Sequence, residues 1–419
     1  MKKRMGICWL VVLLFSLSVL CGGCQWISPL PEESSAPEVS LTEEQKIKQA
    51  YNENRAAFVH FSKSYEPRDL YIPCEEILQY ESLYPNSNGT WFKDQLSGED
   101  LCIYNSILYA LEHSYISFDV YVEDNKRDFY YIRQAVSMDS PLLEQNKNRL
   151  GETINDRPTN RYGKSVHFSF EQFTAKRSEL KKQAWEKCVQ IVEEMPDTCR
   201  TQWEKAEYLY QYVCDHVEYV AYDKMLDEDH LYDAVIKGQA VCDGYSNMLN
   251  LLFNLAGIKS VEVMGDNLKA GHTWVVAKIG DQFYNFDPTY EDGENSVPAS
   301  RKRIFFGFSD EVVDMLNWRH EDTRPKCTDR SRDYQYADLI VSNVTDAKEI
   351  DKIVDITEQR AAKGQYVTLV VAQDTMNQKR YDEFWDRYGK QVQGISKLKT
   401  AWIPAGKNHT LLIFTVTPA

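Results

Sequence analysis

A chain of 419 residues exceeds the roughly 250–300 over which a single hydrophobic core keeps growing, so more than one compact unit is expected. Apolar residues make up 43% and charged residues 26%, close to globular averages, which excludes a mainly disordered or fibrous chain. The net charge of −15 argues against nucleic acid as a partner, because phosphate backbones are held by clustered basic side chains.

At the amino terminus Lys2, Lys3 and Arg4 precede an almost uninterrupted apolar run, Ile7 to Leu20, short for a membrane span, so residues 1–23 read as an export signal. The run closes on LCGGC, residues 20–24, which resembles the lipobox at which bacterial lipoproteins are cleaved and acylated. Cys21 stands where such boxes usually carry an aliphatic residue. The resemblance implies lipidation at Cys24 and an exported protein anchored to the outer face of the bacterial cell membrane; a simple secretory peptide or an uncleaved anchor is the alternative. Residues 24–44, rich in Pro, Ser and Glu, cannot bury a core and read as a tether. Beyond Cys24 stand Cys74, Cys102, Cys188, Cys199, Cys214, Cys242 and Cys327. The number is odd and the spacing lacks metal-ligand pairs, so no zinc site is suggested, while one or two disulfides are compatible with export.

Residues 45–175 read as an α+β region. Leu101, Tyr104, Ile107, Leu108 and Leu111 recur at helical spacing, and Ile116, Phe118, Val120 and Val122 alternate as on one face of a strand. Residues 176–330 begin with helical patterns over 173–195 and 201–220, the second with an apolar stripe of Trp203, Ala206, Leu209, Tyr210, Val213 and Val217. Residues 331–419 read as a small α/β domain: strand DLIVSN, a helix to about Lys363, strand YVTLVVA, another helix and a closing strand TLLIFTVT.

The chemistry concentrates in Gly238–Tyr290. Cys242 opens a run in which Tyr245, Met248, Leu249, Leu252 and Ala256 share a helical face, ended by Gly257 at a left-handed cap. A thiol at a helix start sits where unpaired amides and the helix dipole favour negative charge, as a nucleophilic thiolate requires. His272 opens HTWVVAKI, and the turn at Gly280 and Asp281 leads into QFYNFD, a hairpin pattern with a two-residue loop. With Ile279 opposite Gln282, Trp274 faces Asp287, and His272 lies diagonal to Asp287 on the same face, within side-chain reach. The carboxylate can then hold the imidazole and fix its tautomer. Trp274 either shields this pair from water or packs in a core.

Taken in order, VCDGYS around Cys242, GHTWV around His272 and YNFDPTY around Asp287 resemble the transglutaminase-like superfamily, whose papain-like core packs a helix bearing Cys against strands bearing His and Asp. YLYQYVCDHVEYVAYD upstream and IFFGFSDEVV downstream extend the resemblance over about Glu204–Arg319; Ala240 stands where members commonly have Gly. The resemblance implies an α+β fold with a papain/transglutaminase-like core and a Cys242–His272–Asp287 triad acting on an amide of a peptide or protein, a cell-wall peptide included. Cys242 would attack the carbonyl, His272 would move the proton and Asp287 would orient His272, with no metal or other cofactor needed. The backbone amide of Cys242 would form one arm of an oxyanion hole, with Gln239 or Tyr222 as candidates for the second donor. Hydrolysis is the leading expectation; a protein-glutamine transamidase and a non-catalytic surface binding module of the same fold are the alternatives.

Overall fold

The computed structural model describes residues 41–62, 69–123, 128–146, 150–155, 164–170, 175–220, 230–266, 271–292, 305–316, 318–320, 323–335, 337–363, 370–372, 377–405 and 409–418. The chain divides into two units, Met1–Lys46 and Ile47–Ala419. Among the described residues, three sheets of four or five strands organise the second unit, beside a two-stranded pair. The first is built around a helix that is buried along most of its length. After α1 (Glu43–Glu53) come β1 (Phe58–Ser62), β2 (Leu70–Pro73), α2 (Cys74–Leu78), α3 (Gly98–Glu112), β3 (Ser117–Val122), α4 (Phe129–Asp139), β4 (Leu150–Asn155) and β5 (Lys164–Phe170). The strands pair antiparallel in the order β2-β1-β3-β5-β4. The expected helix over 101–111 and strand over 116–122 are α3 and β3; Phe118, Val120 and Val122 are buried on one face.

The second sheet follows α5 (Ala175–Glu193), α6 (Gln202–His216), β6 (Glu218–Tyr219), the single turn α7 (His230–Tyr232), β7 (Gln239–Ala240) and α8 (Cys242–Leu255). It comprises β8 (Ser260–Asp266), β9 (Gly271–Ile279) and β10 (Gln282–Phe286), then α9 (Pro288–Asp292), β11 (Phe306–Phe308), α10 (Asp310–Met315) and β12 (Arg319–His320), in the antiparallel order β11-β10-β9-β8-β12. Thr201 caps α6 by a reciprocal capping box with Glu204, and Gly257, at φ +79°, closes α8 as its sequence predicted. The β9–β10 hairpin pairs Gln282 with Ile279 through a turn containing Gly280 at φ +62°, so the register is the one read from the sequence.

Period-two alternation splits this sheet between two cores. Val275, Ala277 and Phe286 pack against α6 and α8, while Val261, Val263, Trp274 and Val276 share one cluster with Ile103, Tyr104, Phe118 and Val136 of the amino-terminal region. Gly89 marks how close this approach is, since a Cβ there would lie 2.4 Å from the Ser260 carbonyl oxygen. The third sheet contains β13 (Leu339–Val341), β14 (Val370–Ala372), β15 (Ile395–Ala405) and β16 (His409–Pro418), ordered β13-β14-β16-β15, with helices α11 (Ala347–Ala362) and α12 (Gln378–Gln391). Val341, Ile350, Ile353, Phe384 and Tyr388 form its own core. Among the described residues no helix is long and apolar enough to cross a membrane.

Candidate active site

Cys242 is the first residue of α8 and is half-buried. Val241 precedes it in an extended conformation and makes no side-chain cap, so the amides of the first turn are not taken up by a capping side chain from that residue. The helix can start here because of Gly244, where a Cβ would fall 2.7 Å from the Ala240 Cβ and 2.7 Å from the His230 carbonyl oxygen. Side chains then lock the start of α8 onto β9. Thr273 Oγ1 donates to Asp243 Oδ1 at 3.1 Å and lies 3.2 Å from Ser246 Oγ. Asp243 Oδ2 lies 3.5 Å from His230 Nδ1, and the Cys242 thiol lies 3.9 Å from Asp243 Oδ1.

His272, the second residue of β9, is 4% exposed, and Asp287, one residue beyond β10, is fully buried. Continuing the hairpin register sets Asp287 across from Trp274, and His272 Nε2 lies 2.6 Å from Asp287 Oδ2. The Cys242 thiol is within hydrogen-bonding reach of the same imidazole, and with Nε2 engaged by the carboxylate its partner is Nδ1. Burial disfavours the charged imidazole, but the Asp287 charge, its hydrogen bond and the contact with Cys242 outweigh it and push His272 up to about 10.

Asp287 is held from several sides. Its Oδ1 accepts the Tyr290 amide at 3.0 Å, its own amide donates to the Phe305 carbonyl at 2.9 Å, and the Tyr210 hydroxyl of α6 lies 3.0 Å from its carbonyl oxygen. Aromatic rings surround the imidazole: Tyr290 and Trp318 each stand 5.1 Å from it edge-on, and Trp274 stacks at 5.9 Å. Trp274 is fully buried and its Nε1 donates to Asn285 Oδ1 at 2.9 Å, so it covers the pair and packs in the core at once. Asn285 passes this bond on to Phe308 O at 3.1 Å and Asp310 Oδ1 at 3.2 Å, and Asp310 pairs with buried Arg324 at 2.8 Å. Such a connected polar chain fixes the rings that enclose His272.

Of the other residues singled out by sequence, Gln239 lies on β7, exposed, paired in register with Glu218. Tyr222 and Cys24 lie outside the described residues. The structure adds Asp243, Thr273, Tyr210, Tyr290 and Trp318. The last is separated by more than 40 positions from His272 and no local pattern links the two. Among the described residues no group of three or more His, Cys, Asp or Glu side chains is arranged to hold a metal ion.

Residues 189–288, which include Cys242, His272 and Asp287, match the family model of the transglutaminase-like superfamily. Over that stretch the chain is therefore similar to the transglutaminase-like superfamily, and its fold is α+β in class. Solved structures similar to it include a protein described as a TGase, at 17% identity and TM-score 0.25, over 43% of this chain and 52% of that one. Another is the periplasmic domain of TgpA from Pseudomonas aeruginosa, at 12% identity and TM-score 0.21, over 42% of this chain and 69% of that one. The chain thus spans about half the length of the first of these. No curated protein matches it by sequence.

Proposed function

We propose that the protein cleaves amide bonds of peptides or proteins through an acyl-enzyme formed on Cys242, with His272 and Asp287 completing the triad. The observation that carries this reading is one buried imidazole shared between a carboxylate at 2.6 Å and a thiol at a helix start. In the attack, the sulfur of Cys242 bonds to the amide carbonyl carbon, and the thiol proton resides on His272, whose protonated form Asp287 favours. The imidazolium then gives that proton to the departing amine as the C–N bond breaks. Water, activated by the neutral imidazole, attacks the thioester, releases the acid and returns the thiol. In this reading the backbone amide of Cys242, in the first turn of α8, would meet the developing oxyanion, and Gln239 or Tyr222 would supply a further donor.

Hydrolysis is favoured over transfer to an amine because water is in large molar excess over any amine captured from dilute solution. The test is a peptide library incubated with and without a labelled primary amine and read by mass spectrometry. New termini without amine incorporation are expected; amine adducts on Gln would assign transamidation instead. An enzyme that alkylates normally at Cys242 yet changes no peptide would point to a cell-wall peptide absent from the library. Failure of both labelling and turnover would favour a binding module. The anchoring at Cys24 belongs to the same proposal, and fatty-acid labelling that persists in Cys24→Ser would remove it.

A further inference from the structure

Outside this site, a pair of sulfur atoms meets between two helices. Cys74 is the first residue of α2 and is half-buried; Cys102 lies on α3 and is 5% exposed. Asn105 fixes how these helices lie together, its Nδ2 donating to the Ile77 carbonyl at 2.9 Å and the Leu78 carbonyl at 3.3 Å. Cys102 lies in one apolar cluster and Cys74 packs against it, and the two side chains sit close enough to shift each other's thiols. The Cys74 sulfur also faces the Ala56 carbonyl at 3.7 Å. Three further thiols have other surroundings: Cys214 faces the Pro288 carbonyl at 4.0 Å, Cys327 lies 4.0 Å from Arg324 Nη1, and Cys188 is fully buried.

We propose that Cys74 and Cys102 form a redox dithiol that closes into a disulfide joining α2 to α3 when a disulfide-bearing oxidant is present. Cys74, half-buried where Cys102 is only 5% exposed, is the group an oxidant can reach and therefore the attacking one. The hydrogen bond from Cys102 lowers its thiol below the usual range, overcoming burial, while the same contact and deeper burial push Cys102 upward. The Cys74 thiolate attacks one sulfur of the oxidant, forming a mixed disulfide and expelling one oxidant thiolate, which takes up a proton. Cys102 then gives up its proton and attacks the Cys74 sulfur, expelling the second thiolate. Two protein thiols are oxidised and one oxidant disulfide is reduced to two thiols. The pairing is independent of the proposed catalysis, and it leaves Cys242 as a thiol.

Full-length protein carrying Cys242→Ala, which silences the thiol assigned to catalysis, would be reduced, freed of reductant and exposed to oxidised glutathione. Remaining thiols are then alkylated and the peptides mapped by mass spectrometry. A cross-linked pair of peptides containing Cys74 and Cys102 is expected, together with the loss of two alkylated thiols and its reversal by dithiothreitol. Cys102→Ala should instead accumulate glutathione on Cys74. The proposal is overturned if, with both cysteines present, each is recovered alkylated, if Cys74 keeps glutathione, or if either is found bonded to another cysteine. The map of the chain with both cysteines intact decides the matter even where Cys102→Ala does not fold.

Discussion

Folding strips His272 of water, the largest single effect on its charge, but the Asp287 charge and hydrogen bond together with the Cys242 contact outweigh it. Because the pair raises the folded imidazole above its unfolded value near 6.5, its contribution to stability is full below that pH. It is lost as pH climbs through about 10. In the proposed reaction the same protonation lets His272 serve the leaving amine, so the alkaline limb of kcat/KM should fall near pH 10 and move toward neutrality in Asp287→Ala. That variant should also lose about 10³–10⁴-fold in kcat/KM, as when one member of a catalytic triad is removed. An unmoved alkaline limb would take His272 out of the proton path. His272→Ala leaves a fully buried carboxylate without its cationic partner and is expected to cost about 3–5 kcal/mol, measurable by denaturant unfolding. At this scale the sequence was informative where neighbours in the chain are neighbours in space: the hairpin register put His272 beside Asp287 because two-residue turns leave little freedom. It was silent on Tyr210 and Trp318, whose approach to the pair depends on how separate elements dock.

Where α8 begins decides where the Cys242 thiol points. Gly244 allows β7 and the turn at His230 to press against the first turn, and any Cβ must push one of them away. Gly244→Ala is therefore expected to cost about 1–3 kcal/mol as an overpacked contact. It should slow alkylation of Cys242 and cut turnover by about 10–100-fold, since a displacement near 1 Å suffices for such losses. Normal alkylation and turnover at an unchanged melting temperature would show that the helix start tolerates the side chain. Long periodic elements such as α6, α8 and α11 were legible because their apolar stripes repeat over several turns. The two-residue strands β6 and β7 and the π-helical turn Asp233–Lys237 are too short to carry a period. Strand β15 was hidden for another reason: in its run, ISKLKTAWIPA, Lys397 and Lys399 interrupt the apolar pattern that would mark a strand.

Hydrophobic periodicity tells that a face is covered and leaves open what covers it, and the largest consequence lies in the sheet that carries His272. One face of β8 and β9 is closed by α8, while the other joins the core it shares with α4 and the rest of the amino-terminal region. Val261, Val263, Trp274 and Val276 are at most 2% exposed in that shared core. Burying four such side chains is worth on the order of 10 kcal/mol, comparable to the net stability of a whole domain. Residues 176–330 expressed alone should therefore be insoluble or bind a hydrophobic dye, although they contain Cys242, His272 and Asp287. The carboxy-terminal sheet has a separate core, so a chain ending at residue 337 should keep Cys242 alkylation and a cooperative melt. Solubility and Cys242 alkylation, measured for each fragment beside the full chain, check both expectations. A soluble, cooperatively melting 176–330 fragment would mean that the shared face is closed in some other way. If the chain ending at 337 lost Cys242 reactivity while still melting cooperatively, the carboxy-terminal sheet would have a part in shaping the site. The amino-terminal region shows no chemistry of its own in the sequence; by closing the face that holds Trp274 it helps keep water from His272, which opposes charge on the imidazole and leaves Asp287 and the Cys242 contact to hold its proton.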